Sequence, residues 1–138
     1  MADSENLRLT VTRNLNELLW IVEQTHAFFA DHGLSGDLLF SVDMVIEELF
    51  VNMVSYNQSG ANIQIEMTAL PNGIALSFMD FDVDRFDPRE LATPDLTGDI
   101  DDREPGGLGV HLVLNIAQDV AYHYADRSST LSMKILDQ

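Results

Sequence analysis

Leu7, Leu9 and Val11 alternate with polar neighbours across NLRLTVT (6–12), the period of a strand with one buried face. The spacing then becomes helical. Leu15, Leu18, Leu19, Val22 and Phe29 form an apolar stripe, Asn14 and Glu17 a capping box ahead of it, and Gly33 a stop behind it. A second helix is predicted from about Ser35 to Tyr56, because Leu38, Val42, Val45, Leu49 and Met53 repeat at helical spacing until NQSG (57–60) breaks the run. ANIQIEMTAL and GIALSFMDF both alternate, and PNG (71–73) joins them, which is a hairpin signal.

From Asp82 to Pro105 no period survives. Seven Asp, two Glu and three Pro fall there, and a polar connection of this length reads as a functional flap or a disordered segment. A glycine cluster follows in EPGGLGVHLVLNIAQD (104–119), with VHLVLNIAQ expected as a third helix. DVAYHYA and STLSMKIL read as two closing strands. The order β-α-α-β-β-loop-α-β-β predicts an α+β two-layer sandwich: a mixed, mainly antiparallel sheet with three helices on one face. Trp20 and the phenylalanines at 28, 29, 40, 50 and 78 are expected in its core. The 138 residues suit a single domain, 1–138, with no internal repeat or linker.

Charge narrows the chemistry. Seven basic residues face 23 acidic ones, a formal net charge of −16. Such a surface repels phosphate backbones, so direct nucleic-acid binding is not expected. It is either a plain solubilising surface or an acidic face that docks a basic protein. A nucleotide site here would have to use backbone N–H groups and a metal ion in place of a cationic cradle. The chain has no cysteine, which removes disulfides and thiolate metal sites and fits a reducing compartment. Without a membrane-length apolar run or a signal-peptide pattern at MADSENLRLT, the expectation is a cytoplasmic protein.

Three groupings could carry chemistry. Glu48 and Asn52 lie four residues apart on the second helix and share a face, with Ser55 continuing the line. An Asn oxygen suits Mg²⁺, and a Glu one turn away could act as a general base. A solvated helix edge would look the same. Four aspartates in MDFDVDRFDP (79–88) stand where the hairpin's second strand ends; they suit a ligand's donor group, a divalent metal or an ordinary acidic turn. The glycines at 106, 107 and 109 could turn backbone N–H groups toward a bound anion, helped by the positive end of the next helix, or could simply allow close packing. The four histidines, at 26, 32, 111 and 123, show no metal-ligand spacing.

VIEELFVN, a strand leading to FDP, an acidic loop with PDLTGD, PGGLGVHLV and QDVAYHY, in this order, resemble the histidine-kinase-like (Bergerat-fold) ATPases over roughly residues 6 to 136. The branch is that of the small bacterial anti-sigma factors that act as serine protein kinases. The resemblance implies ATP and Mg²⁺ as cofactors, Asn52 as the Mg²⁺ ligand and Glu48 as the catalytic base toward a partner's serine hydroxyl. It also implies a phosphate loop at Gly106, Gly107, Leu108 and Gly109 and a lid over about 87–105. The implied partners are a sigma factor and an anti-anti-sigma protein, and the small kinases of the branch are often dimers, so a homodimer is possible. The family's adenine element is Asp-x-Gly a few residues before FDP. Counted without a gap, Phe81 and Val83 take those places; with one extra residue, Asp80 takes the Asp place and Asp82 the glycine's. The glycine is missing either way, so the same resemblance also allows a non-catalytic binding switch with weakened or lost ATP binding. Of these residues Asp80 is the expected adenine acceptor, with Asp82 as the alternative.

Overall fold

The computed structural model describes residues 6–57, 61–91 and 107–137 of the chain. The order of elements is the expected one. β1 (Asn6–Val11) leads into α1 (Glu17–Asp31) and α2 (Gly36–Tyr56); β2 (Ile63–Leu70) and β3 (Gly73–Phe81) follow. A short 3-10 helix (Pro88–Leu91), α3 (Gly107–Ile116), β4 (Gln118–Ala125) and β5 (Ser128–Leu136) complete it.

The five strands form one sheet in the order β1-β2-β3-β5-β4. Among the described residues all four pairings are antiparallel, so the sheet there is antiparallel where a mixed, mainly antiparallel one was expected. Period-two alternation decides what the sheet buries. Leu9 and Val11, then Ile63, Ile65 and Met67, then Ile74, Leu76 and Phe78, then Leu131, Met133 and Ile135 all face the helices. The hairpin register pairs Leu70 with Gly73, leaving Pro71 and Asn72 as a two-residue turn. A second tight turn joins β4 to β5, where Asp126 and Arg127 both take positive φ, 53° and 60°, as a primed two-residue turn requires.

Helix boundaries follow from capping. The Ser35 hydroxyl accepts a hydrogen bond from the Leu38 N–H at 3.1 Å and starts α2. α1 ends as expected at Gly33, whose φ is +62°. The Leu34 N–H bonds back to the Phe29 carbonyl and the Gly33 N–H to that of Ala30, a Schellman closure. The start of α1 differs from the expected capping box. Asn14 accepts from the Asn16 N–H, and the Glu17 carboxylate reaches past it to the Thr12 N–H, at 2.9 Å each.

The stripe on α1 also differs. Ile21, Thr25, Phe28 and Phe29 are buried, while Leu15 and Leu19 are exposed. Trp20 is 41% exposed and Phe40 73%, which corrects their expected place in the core. The reason is rotation about the helix axis. Each residue turns ~100°, so Phe40 lies ~200° from Val42, the first of the deeply buried valines of α2. Trp20 stands ~100° from Ile21 for the same reason. Phe28, Phe29, Phe50 and Phe78 are core residues as expected.

Candidate functional site

The end of β3, the last two turns of α2 and the segment after β3 enclose a cleft. Leu49, Asn52 and Met53 line it from α2 and Asn57 from just past its end, Phe78 and Asp80 from β3, and Val83, Phe86 and Pro88 from the connection. Tyr122, Ser129 and Leu131 close it from the last two strands.

Asn52 is 5% exposed and its side-chain nitrogen makes no hydrogen bond of normal geometry. Glu48, one turn earlier, has its carboxyl pushed above the ordinary value, chiefly by burial. The nearby Asn52 amide opposes that rise and the Glu47 charge adds to it.

α3 begins within the glycines, at Gly107, and not after them at Val110 as the apolar run suggested. The Glu48 carboxylate explains one of them. A Cβ at position 109 would overlap it, with Oε2 only 2.7 Å away. The first turn of α3 therefore lies directly against Glu48, and Glu48 against Asn52. Gly107 lies in this turn, as does Leu108, whose side chain is not described; Gly106 and residues 92–105, most of the expected lid, lie outside the described residues.

Also lining the cleft, Asp80 is 3% exposed, while Asp82 is not buried. Asp80 faces the helices, while Phe81 is 37% exposed, so the alignment with one extra residue is the one that puts a carboxylate in the cleft. Asp82 takes φ +57°, the left-handed conformation that glycine adopts freely and Asp tolerates better than most residues. The backbone therefore keeps a glycine-like bend without the glycine. Asp82 and Asp84 both accept hydrogen bonds from Arg127 at 2.9 Å, which tethers this bend to the β4–β5 turn. A β-branched residue cannot take that bend cheaply. Asp82→Val is expected to lower stability by about 1–2 kcal/mol in urea unfolding, whereas Asp82→Gly should stay close to wild type.

Some groups at the site were not anticipated. Arg13, between β1 and α1, is buried and ion-paired to Asp80. Tyr124 donates to the Val83 carbonyl at 2.8 Å, and the Tyr122 hydroxyl accepts from the Phe86 N–H at 3.0 Å, so two β4 tyrosines hold the connection after β3. Phe86 stacks on Tyr56 at 4.6 Å between centroids. Asp87 is buried and, although burial alone would raise its pKa, the hydrogen bonds from Arg89 hold it below the ordinary value. The only sequence signal for Arg13 was a scarce cation directly after a strand.

His26 pairs with Asp43 and His32 bonds to the Phe28 carbonyl. Among the described residues no cluster of three or more His, Cys, Asp or Glu could hold a metal ion. A metal at this site would rest on the Asn52 oxygen and on oxygens that a ligand or water brings, which suits Mg²⁺.

The chain that lines this cleft with Asn52 and Asp80 matches the histidine kinase-like ATPase domain, whose family model covers residues 12–135. The chain belongs to that family. Among solved structures it is similar to the RsbU and RsbW domains of Rv1364c from Mycobacterium tuberculosis, with a TM-score of 0.66 and 12% identity. That match covers 95% of this chain and 32% of the other, so the chain spans about a third of the protein it resembles. The likeness establishes a shared fold. A comparison with curated proteins by sequence finds no match.

Proposed function

We propose that the chain binds Mg-ATP in this cleft and transfers the terminal phosphoryl group to a serine of a partner protein, in the manner of an anti-sigma factor kinase. One set of contacts carries the reading: Glu48 lies against the first turn of α3 at Gly109 and beside Asn52, and Asn52 lines the same cleft as Asp80. Asp80 would accept a hydrogen bond from the adenine amino group. The phosphates would lie toward α3, where backbone N–H groups take their charge without any lysine. Asn52 would hold the Mg²⁺ through its carboxamide oxygen, and the ion, when bound, neutralises phosphate charge. Glu48 would accept the proton of the serine hydroxyl as its oxygen attacks phosphorus. Burial suits it to that task, because a raised pKa makes a stronger base.

The partners that fit the family are an anti-anti-sigma protein as phosphoryl acceptor and a sigma factor as the captured protein, with a homodimer as the working form. A reducing cytoplasm is the matching compartment for a chain without cysteine. No helix among the described residues is long and apolar enough to cross a membrane. A second reading, a binding module without catalysis, draws on the net charge of −16, which suits docking to a basic protein surface.

Calorimetric titration separates the two. Wild type is expected to bind Mg-ATP, and Asn52→Ala to weaken it by about tenfold or more, the size of one lost interaction to a charged group. Without Mg²⁺ the two proteins should bind ATP alike. Absence of any ATP binding by wild type at millimolar concentration would leave the binding module as the better reading.

A further inference from the structure

Arg13 joins three pieces of chain that are far apart in sequence. It leaves the β1–α1 connection, donates to the Met53 carbonyl in the last turn of α2 at 3.1 Å, and pairs with Asp80 at the end of β3. The side chains of Arg13 and Asp80 are 5% and 4% exposed. Met53 and Asp80 both line the cleft, and Arg13 does not. It sits behind the aspartate and ties the two walls between which a base would lie. Its Nε is buried without a partner, so the guanidinium is placed for Asp80 and Met53 and not for its own full satisfaction.

An ionised carboxylate has about four acceptor sites and no donor. Arg13 and the Phe81 N–H occupy part of that capacity. What remains can only accept. Burial pushes the Asp80 carboxyl up, and Arg13 opposes that rise, first by its charge and then by its hydrogen bond.

Resting on the nucleotide reading above, we propose that Arg13 is a positioning residue that sets base selectivity: by pinning Asp80 in one rotamer as a pure acceptor, it makes the cleft take a base that presents an exocyclic amino group and reject one that presents a carbonyl there. With methionine at 13 the buried carboxylate loses both its fixed orientation and its counter-charge. It then stops discriminating between a donor and an acceptor on the incoming ring.

The test is calorimetric titration of the full chain with Mg-ATP, Mg-GTP and Mg-tripolyphosphate, for wild type, Arg13→Met, Arg13→Lys and the double variant Arg13→Met with Asp80→Asn. Wild type should prefer ATP to GTP by at least about tenfold, because a carbonyl facing a carboxylate leaves both acceptors unpaired. Arg13→Met should lose about tenfold in ATP affinity, equivalent to one hydrogen bond to a charged group, while GTP and tripolyphosphate stay within about threefold. Arg13→Lys keeps the charge and should recover part of the preference. Should circular dichroism show Arg13→Met unfolded, Arg13→Lys decides, since a lysine keeps the charge but not the planar fork that reaches Asp80 and Met53 together. Its ATP:GTP ratio should fall between that of wild type and the value near one that the double variant, with an amide at 80, should show. A wild-type ratio in whichever variant folds, or an equal loss of all three ligands, would overturn the role of Arg13. A wild type that binds neither nucleotide would overturn the nucleotide reading itself, and this proposal with it.

Discussion

Glu48→Gln should stop phosphoryl transfer to a serine-bearing partner while leaving Mg-ATP affinity within a few fold of wild type. The substitution keeps the shape of the side chain and removes its capacity to take a proton. General-base catalysis by a positioned carboxylate contributes on the order of 10²–10⁴ in rate, and that is the expected loss. The neighbour supplies the control. Glu47 is exposed, and its charge reaches Glu48 only as a minor upward push on the carboxyl. Glu47→Gln should therefore transfer at close to the wild-type rate. Radiolabel transfer from Mg-ATP to the purified partner measures both. Transfer that survived Glu48→Gln would take Glu48 out of the chemistry and leave the α3 turn and Asn52 as a binding apparatus alone.

The separation between binding and chemistry follows from where each residue sits. Asn52 is in the cleft and buried, with its carboxamide beside the Glu48 carboxylate. Glu48 lies one turn nearer the start of α2, against the first turn of α3, and is not among the residues that line the cleft. Loss of Asn52 should be felt in affinity, and loss of Glu48 in rate.

Most of the fold was legible because its periods are clean. Alternation in β2 and β3 predicted the hairpin with PNG (71–73) as its connection, which the register narrows to Pro71 and Asn72, and Ser35 and Gly33 marked where one helix ends and the next begins. The stripe on α1 was misread because two phases share Leu18. The set 15, 18, 19, 22 and the set 18, 21, 25, 28 have the same period and differ by a small rotation. Only packing against the sheet selects the second, where Phe28 and Phe29 can both be buried. The site was legible on α2, since Glu48 and Asn52 are neighbours by helical geometry alone. Its other half was not. Arg13 and Asp80 are 67 residues apart, and no local pattern announces such a pair. The missing glycine at 82 looked like a broken adenine element, because sequence shows a residue type and not its φ. Asp82 takes the left-handed φ that glycine adopts freely.

Gly109→Ala should separate stability from activity more sharply than any other change at the site. Position 109 lies in the first turn of α3 with an ordinary negative φ, so the backbone there does not require glycine. Alanine is the better helix former by about 1 kcal/mol, and on that ground alone the variant should be no less stable than wild type. What the methyl group meets is the far end of the Glu48 side chain. A flexible carboxylate can swing aside at little cost to folding. In doing so it leaves the position from which it would accept a serine proton, and a misplacement of about 1 Å is enough to cost on the order of 10² in rate. The expected result is an unchanged or slightly higher melting temperature together with transfer reduced about a hundredfold. Glycine at 109 is thus kept for the carboxylate it admits and not for its own conformation. A Gly109→Ala protein that transferred phosphate at the wild-type rate would show that Glu48 need not stand where the first turn of α3 now holds it.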